Sequence, residues 1–342
     1  MKPAVKVLAL SGGVGGAKLA LGLSRLLTPG ELAVLVNTGD DFTHLGLRIC
    51  PDLDTVLYTL AGVVHRDQGW GRADETFGFM EELRRQGGPD WFLLGDRDLV
   101  LHIERTRRLA DGERLTQVMN DLANRFGVAS RLLPMTDAPI STLLDTDAGA
   151  LEFQHYFVRL RAMPKVRSLH FAGAAQARPT DEVLDLLRSR SLEAIILCPS
   201  NPYLSIDPIL AVPGLRLALR AAGVPIVAVS PLIGGRAVKG PTTKIMQELG
   251  VEANTLAIAC HYRGLIDGLV IDETDDTIDI RAALEAMGLR VSVTRTLMKT
   301  LDDRERVARV ALDLATELAI KRATHTSATD PSAVSIDARS VG

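Results

Sequence analysis

Cysteine is scarce in this chain, with Cys50, Cys198 and Cys260 the three in 342 residues and no CxxC pair among them. That spacing offers neither a disulfide framework nor a thiolate metal cage, and it fits free thiols in a reducing compartment. No charge of one sign prevails: 39 Lys and Arg against 42 Asp and Glu leave a formal net charge of −3. Bulk electrostatics therefore give no reason to expect a nucleic-acid partner or a membrane surface. No uninterrupted apolar run approaches the roughly 18 residues that would cross a bilayer. Residues 1–10 lack the long apolar region and small-residue cleavage site of a secretory signal, so a soluble, cytoplasmic protein is expected. HExxH, GxSxG and any His/Cys set at metal spacing are missing as well, and no covalent nucleophile is visible. That pattern suits phosphoryl-type transfer, in which positioning and charge neutralisation carry most of the catalysis.

What the chain does have is a core. Hydrophobic residues are 46% of it and charged residues 24%, ordinary values for a folded protein. The length suggests one large α/β domain with an insertion, or two lobes. Strand-like apolar runs lie at 5–10, 33–37, 91–94, 166–171, 194–198, 225–230 and 268–272, several of them continuous, as in strands buried on both faces. Amphipathic stretches at 17–27, 180–188 and 215–222 fall between them. The expectation is an α/β fold with a Rossmann-like, doubly wound, mostly parallel sheet. Helical patterns dominate 53–126, clearest at 76–86 and 112–126, with short β-like pieces at 131–133 and 140–144. Residues 55–165 are thus expected as a largely helical insertion on a core of 1–54 and 166–322. A last helix is expected over 301–321 and a polar tail over 323–342.

The first strand runs into Leu10-Ser-Gly-Gly-Val-Gly-Gly-Ala-Lys18 and a helix follows at once. Glycines there let the backbone turn and approach a phosphate, while the helix N-terminus adds amide donors and positive dipole. Gly12, Gly13, Gly15, Gly16 and Lys18 are the candidates. The loop is neither Walker A, since Leu19 follows the lysine, nor a full dinucleotide fingerprint, since Lys18 stands where a third glycine belongs. The second strand ends in Asn37-Thr-Gly-Asp40-Asp41, and Cys50-Pro-Asp52-Leu-Asp54-Thr follows. These carboxylates are denser than a ribose hydroxyl requires and suit a Mg²⁺ ion, with Asp40 and Asp41 as candidate ligands. Asp52 and Asp54 can alternatively cap the apolar helix that follows.

Both tryptophans fall in one stretch, Gly69-Trp70-Gly71 and Trp91 to Gly-Asp96-Arg97-Asp98, with His102 and Arg105 beyond. An arginine between two acids can offer its fork to a phosphate or a polar ring edge. Asp98, His102 and Arg105 share a helix face at i, i+4 and i+7, which a surface ion-pair network would also explain. Two later loops, Pro199-Ser200-Asn201-Pro202 and Ser230-Pro-Leu-Ile-Gly234-Gly235 continuing to Lys239-Gly240, close further strands on the edge where such folds bind ligands.

Taken in order, LSGGVGGAKL, VNTGDDF, CPDLDTVLYTLAG, GWG, LGDRDLVLHIERT, LPMTDAPIST, PSNPYLSIDPIL, AVSPLIGG and KGPTTKIM resemble the 2-phospho-L-lactate transferase family across residues 9 to about 246. Two departures occur: Ala73-Asp-Glu-Thr-Phe77 replaces a Gly-Asp-Thr-Phe segment, and the first loop is richer in glycine than the common GGTGTPK form. The resemblance implies a Mg²⁺-dependent transferase that moves a phospholactyl, phosphoenolpyruvyl or phosphoglyceryl unit from a GDP-activated donor to the ribityl hydroxyl of the deazaflavin Fo. GMP leaves, and the step belongs to coenzyme F-420 biosynthesis. By the same resemblance Asp54 and Arg97 would contact Fo; the reading of the residues themselves adds Trp70 and His102, on the 55–165 insertion, as Fo-binding candidates and Asp54 as the candidate proton acceptor. The glycine loop with Lys18, together with Ser200, Asn201, Ser230, Gly234, Lys239 and Gly240, would hold the guanosine diphosphate part, and a homodimer is expected. The rival readings are a non-catalytic nucleotide-sugar-binding regulator resembling the gluconeogenesis-factor group, and a nicotinamide-dependent oxidoreductase.

Overall fold

The computed structural model describes residues 4–328. Seven strands form its central sheet: β1 (Val7–Ser11), β2 (Leu32–Val36), β3 (Arg131–Pro134), β4 (Ala194–Leu197), β5 (Ile226–Val229), β6 (Gly268–Asp272) and β7 (Arg290–Thr294). They lie in the order β7-β6-β5-β4-β1-β2-β3, and every pairing is parallel. In β1, Leu8 and Leu10 enter one core while Val7 and Ala9 enter the other, and β2 divides Ala33 and Leu35 from Leu32, Val34 and Val36 in the same way. A strand buried on both faces can be apolar at every position, which is why these segments read as unbroken runs.

One face of the sheet takes α1 (Gly13–Leu26), α2 (Pro51–Leu60) and the helix Leu301–Ala328. The other takes the helices Asp181–Arg188, Leu215–Ala221, Thr255–His261 and Ile278–Ala286. Helices on both faces of a parallel sheet make the fold doubly wound and Rossmann-like, as expected. Between β2 and β3 lie α2, α3 (Gly78–Arg85), α4 (Asp96–Ala110) and α5 (Leu115–Arg125).

The expected elements differ from the observed ones at definite places. Residues 91–94 form no strand; Trp91 and Phe92 pack against Phe42 and His44 instead, with ring centroids 4.9–5.9 Å apart. The run around 166–171 is a strand, Val166–Ala172, but it pairs antiparallel with Ser141–Thr146, which also pairs with Gly149–Glu152, apart from the main sheet. Only Val166 of that strand is buried, so it has one sheltered face at most and cannot sit at the centre of a parallel sheet. Within the span 55–165, β3 belongs to the main sheet beside β2, and α2 crosses the boundary drawn at 54/55. β7 went unrecognised because Arg-Val-Ser-Val-Thr at the sheet edge has a weak apolar signal. The last helix runs on to Ala328, into the region expected as tail, and 329–342 lie outside the described residues.

Close packing of α1 on the last helix turns on Gly22. A Cβ there would stand 2.2 Å from the Arg304 carbonyl oxygen and 3.2 Å from Ala308 Cβ. In an unconstrained helix Gly→Ala gains about 1 kcal/mol. Here Gly22→Ala is expected to lose about 1–3 kcal/mol, because a backbone contact cannot swing aside. Urea unfolding of the variant checks the sign.

Candidate functional site

In a sheet of this order the chain turns one way after β1 and the other way after β4, and a crevice opens between their carboxyl ends. Two segments line it, Ser11-Gly12-Gly13 and Cys198-Pro199-Ser200-Asn201. Ser200 ties them together: its hydroxyl accepts from the Gly12 N–H at 3.1 Å and donates to the Gly12 carbonyl at 2.8 Å. A Cβ on Gly15 would lie 2.4 Å from the Pro199 oxygen, and one on Gly16 2.5 Å from Ser200 Oγ. These glycines serve the approach of loop to helix. Of the four loop glycines, Gly13 alone has open space where a Cβ would be, at φ +63°, and it faces outward. The other loop residues sit as follows. The Asn201 side-chain oxygen accepts from the Tyr203 and Leu204 amides, leaving its buried Nδ2 without a partner. Ser230 Oγ accepts from Leu232 N–H, and the Gly234 and Gly235 amides donate to Asp275. Gly240, at φ +75°, is exposed beside Lys239, whose amine donates to the Gln68 carbonyl at 2.9 Å, while Lys18 Nζ donates to the Met298 carbonyl at 2.9 Å.

The carboxylates gather on the β2 side of the crevice. Asp52 Oδ1 accepts from the Gly13 N–H at 2.7 Å, and its Oδ2 accepts from Asn37 Nδ2 at 3.0 Å. Asp52 was open to reading as a cap, but α2 starts at Pro51 after an uncapped Cys50, and neither Asp52 nor Asp54 caps it. Burial raises the Asp52 carboxyl to about 6. Asp40 is pushed well above the usual range, first by burial and then by the charge of Asp52. Burial raises Asp41 to about 7 although Arg48 stands 3.3 Å away. Asp40 Oδ1, Asp41 Oδ1 and Thr142 Oγ1 are buried without hydrogen-bond partners, and all three residues line a crevice of about 10 Å³. That is roughly room for one water.

Asp54 does not stand free. Arg105 NH1 and NH2 donate to its two oxygens at 2.6 and 3.0 Å, and Arg105 also donates to the Arg48 carbonyl. His102 Nδ1 lies 2.9 Å from Arg105 NH2 and its Nε2 is 3.3 Å from Asp98 Oδ2, while Tyr58 donates to Asp98 Oδ1. The helix face of Asp98, His102 and Arg105 thus points inward, as a buried network under α2, where a surface ion-pair network was the alternative reading. Arg97, in the first turn of α4, has an exposed side chain, and Trp70 is 47% exposed. The structure does not bring either to the Asp52–Gly13 crevice by any hydrogen bond. Asn37 and Thr142 were missed at the sequence level: VNTGDDF and DAPIST contain them, but no local pattern says that Asn37 bonds Asp52 or that Thr142 lines the crevice beside Asp40 and Asp41.

With this geometry in place, comparison with known proteins is decisive. A family model described as 2-phospho-L-lactate transferase CofD matches residues 7–306. The chain belongs to that family. It is 42% identical over 322 residues to a phosphoenolpyruvate transferase of Streptomyces griseus, covering 92% of this chain and 99% of that one. A phosphoenolpyruvate transferase of Mycobacterium avium is 41% identical over 320 residues, covering 84% and 94%. A crystal structure of a upf0052 family protein from Bacillus halodurans superposes with a TM-score of 0.58 at 16% identity, over 91% of this chain and 99% of that one, and this likeness concerns the fold alone. The chain is a phosphoacid transferase of coenzyme F-420 biosynthesis. Among its described residues no helix is long and apolar enough to cross a membrane.

For this transferase the described residues hold no group of three His, Cys, Asp or Glu side chains that could grip a metal unaided. Mg²⁺ is commonly held by one or two carboxylates with substrate phosphates completing its shell. Asp40 and Asp41 fit that pattern, since each keeps a buried oxygen that nothing among the described residues satisfies. The raised carboxyl of Asp52 also fixes the sign of a pH effect. Its folded value, about 6, lies above the ordinary value near 3.9, so folding favours its protonated form. Its contribution to stability is complete below that ordinary value and is lost as pH rises through about 6. Between pH 5 and 7 in EDTA, the melting temperature of the wild-type protein is expected to fall relative to that of Asp52→Asn; parallel curves would show that Asp52 titrates normally.

Proposed function

We propose that the transferase moves a phosphorylated three-carbon acid unit from a GDP-activated donor to the ribityl hydroxyl of Fo, releasing GMP. One observation carries the reading: a buried carboxylate, Asp52, is bonded to the first amide of α1 at the switch point of the sheet. A phosphate group drawn to that helix N-terminus would lie beside a carboxyl group whose proton affinity suits proton exchange near neutral pH. The hydroxyl oxygen forms a new bond to the phosphorus carrying the acid unit. The bond from that phosphorus to the GMP oxygen breaks, and GMP departs with the electron pair. Asp52 takes the hydroxyl proton, a role the sequence analysis gave to Asp54. Asp54, gripped at both oxygens by Arg105, holds α2 in place beneath the acceptor. Asp40 and Asp41 would hold Mg²⁺, which when bound supplies neutralisation of the donor's phosphate charge. Ser200 keeps the two loops in register, so that Gly13 faces the donor.

The relatives named phosphoenolpyruvate transferase support phosphoenolpyruvate as the first acid to offer. Three-carbon acids differing by a hydroxyl or a double bond are separated only by pocket contacts. A cytoplasmic homodimer completes the proposal, and sedimentation reads the dimer.

The test combines Fo, GTP, Mg²⁺ and an activating guanylyltransferase with phosphoenolpyruvate, phospholactate or phosphoglycerate, and reads products by mass. A deazaflavin product carrying the phosphoenolpyruvate-derived unit is expected. Asp52→Asn should lower kcat by about 10²–10⁴ with GDP binding retained. Tight GDP binding without product from any of the three acids would turn the reading to a non-catalytic nucleotide-binding protein.

A further inference from the structure

The small antiparallel sheet ends in an open edge. Its strands lie in the order Gly149–Glu152, Ser141–Thr146, Val166–Ala172, so among the described residues the last has a strand on one side alone. Opposite residues on antiparallel strands alternate between hydrogen-bonded and non-bonded pairs. Thr142 sets that alternation here, because its N–H leaves the sheet for the Gly39 carbonyl at 2.7 Å. Its partner Phe171, and Leu169 opposite Leu144, therefore turn their main-chain groups away from Ser141–Thr146. Among the described residues no group outside the sheet bonds to either.

A strand of this length spans about 23 Å, and it carries no proline or glycine that would blunt its edge. Its first residue is covered, since the Val166 N–H donates to Glu248 at 3.0 Å. Leu169 and Phe171 are half-buried at the rim, and Phe157, Leu160 and Met163, just before the strand, are exposed, Met163 by 79%. Unpaired main-chain groups beside exposed apolar side chains make a surface that another strand completes. The strand is complementary to itself. Set antiparallel to its own copy about a two-fold axis at Leu169, its outward N–H groups meet outward carbonyls. Lys165 and Arg167 of the two copies then fall at opposite ends of the pair. Like charges stay apart, and Arg167 comes beside the Phe171 ring of the other copy.

We propose that two copies of this chain pair through their Val166–Ala172 strands, joining the three strands of each into one antiparallel sheet across the dimer. The proposal rests on the homodimer reading above and assigns its surface. The middle strand of each small sheet also carries Ser141 and Thr142 into the crevice beside Asp40 and Asp41, so the interface backs one wall of the site.

Sedimentation velocity over a range of concentrations tests it on the full-length wild type, Leu169→Pro and Leu169→Ala. Proline removes an outward N–H and leaves the bonds to Ser141–Thr146, whereas alanine keeps the N–H and trims the side chain. The wild type should sediment at twice the 36.9 kDa chain mass. Leu169→Pro should raise the dimer dissociation constant about tenfold or more, and Leu169→Ala much less. A Leu169→Pro protein that melts like the wild type and dimerises with wild-type affinity would overturn the proposal. Hydrogen exchange on the wild type needs no variant: the Leu169 and Phe171 amides should exchange about tenfold more slowly in the dimer than at dilutions that give monomer. Equal rates in the two states place the interface elsewhere and sink this surface while leaving the homodimer reading intact. A wild type that is monomeric at every concentration removes both.

Discussion

The approach of the 199–205 segment onto the first turn of α1 is the constraint from which the rest of the site follows. It leaves no volume for a side chain at residues 12, 15 or 16, where a Cβ would lie 2.4–2.6 Å from neighbouring atoms. It also places Ser200 where one hydroxyl can serve both the amide and the carbonyl of Gly12. With Gly12 tied down, Gly13 turns at φ +63° and its amide meets Asp52. That bond joins α1 to α2, and α2 carries Asp54 down onto Arg105. The glycine run thus acts mainly through packing, and Gly13 is the one of its four glycines with open space beside it.

Burial of the acids around that loop runs against ordinary stability. Desolvation favours the neutral carboxyl, so Asp40, Asp41 and Asp52 all bind protons more tightly than free aspartates do. Asp54, equally sheltered, has both its oxygens met by Arg105. Buried carboxylates with idle oxygens raise the energy of the empty site, and a cation or a proton shared with substrate would lower it. Structures generally keep such groups where chemistry needs them.

The fold was largely legible because β1, β2, β4, β5 and β6 are buried on both faces and so are apolar throughout. It was less legible where burial is one-sided or contributed by aromatics: Val166–Ala172 joined a meander, Trp91 and Phe92 formed a ring cluster, and β7 had too little apolar signal at the sheet edge. The site was legible in its parts. Gly12, Ser200, Asp40 and Asp41 could be named from spacing at strand ends, since sheet topology sends those ends to one edge. The partnerships could not. Asp52 joins Gly13 across 39 residues, Asp54 joins Arg105 across 51, and Ser200 joins Gly12 across 188. No local periodicity carries such distances; packing of α2 and of the 199–205 segment decides them. Asp52 and Asp54 sit two residues apart, and sequence alone could not say which would be neutralised by an arginine.

Charge is sorted about α1. Asp52 meets the start of the helix from the β2 side together with Asp40 and Asp41, while Lys18, one turn further on, gives its amine to the Met298 carbonyl. A single mixed cluster would quench itself in internal ion pairs, as Asp54 and Arg105 do. Asp40 and Asp41 each keep a buried oxygen without a partner among the described residues. The helix also turns its positive N-terminal end toward Asp52, so its first amide and its dipole both favour an anion at that spot.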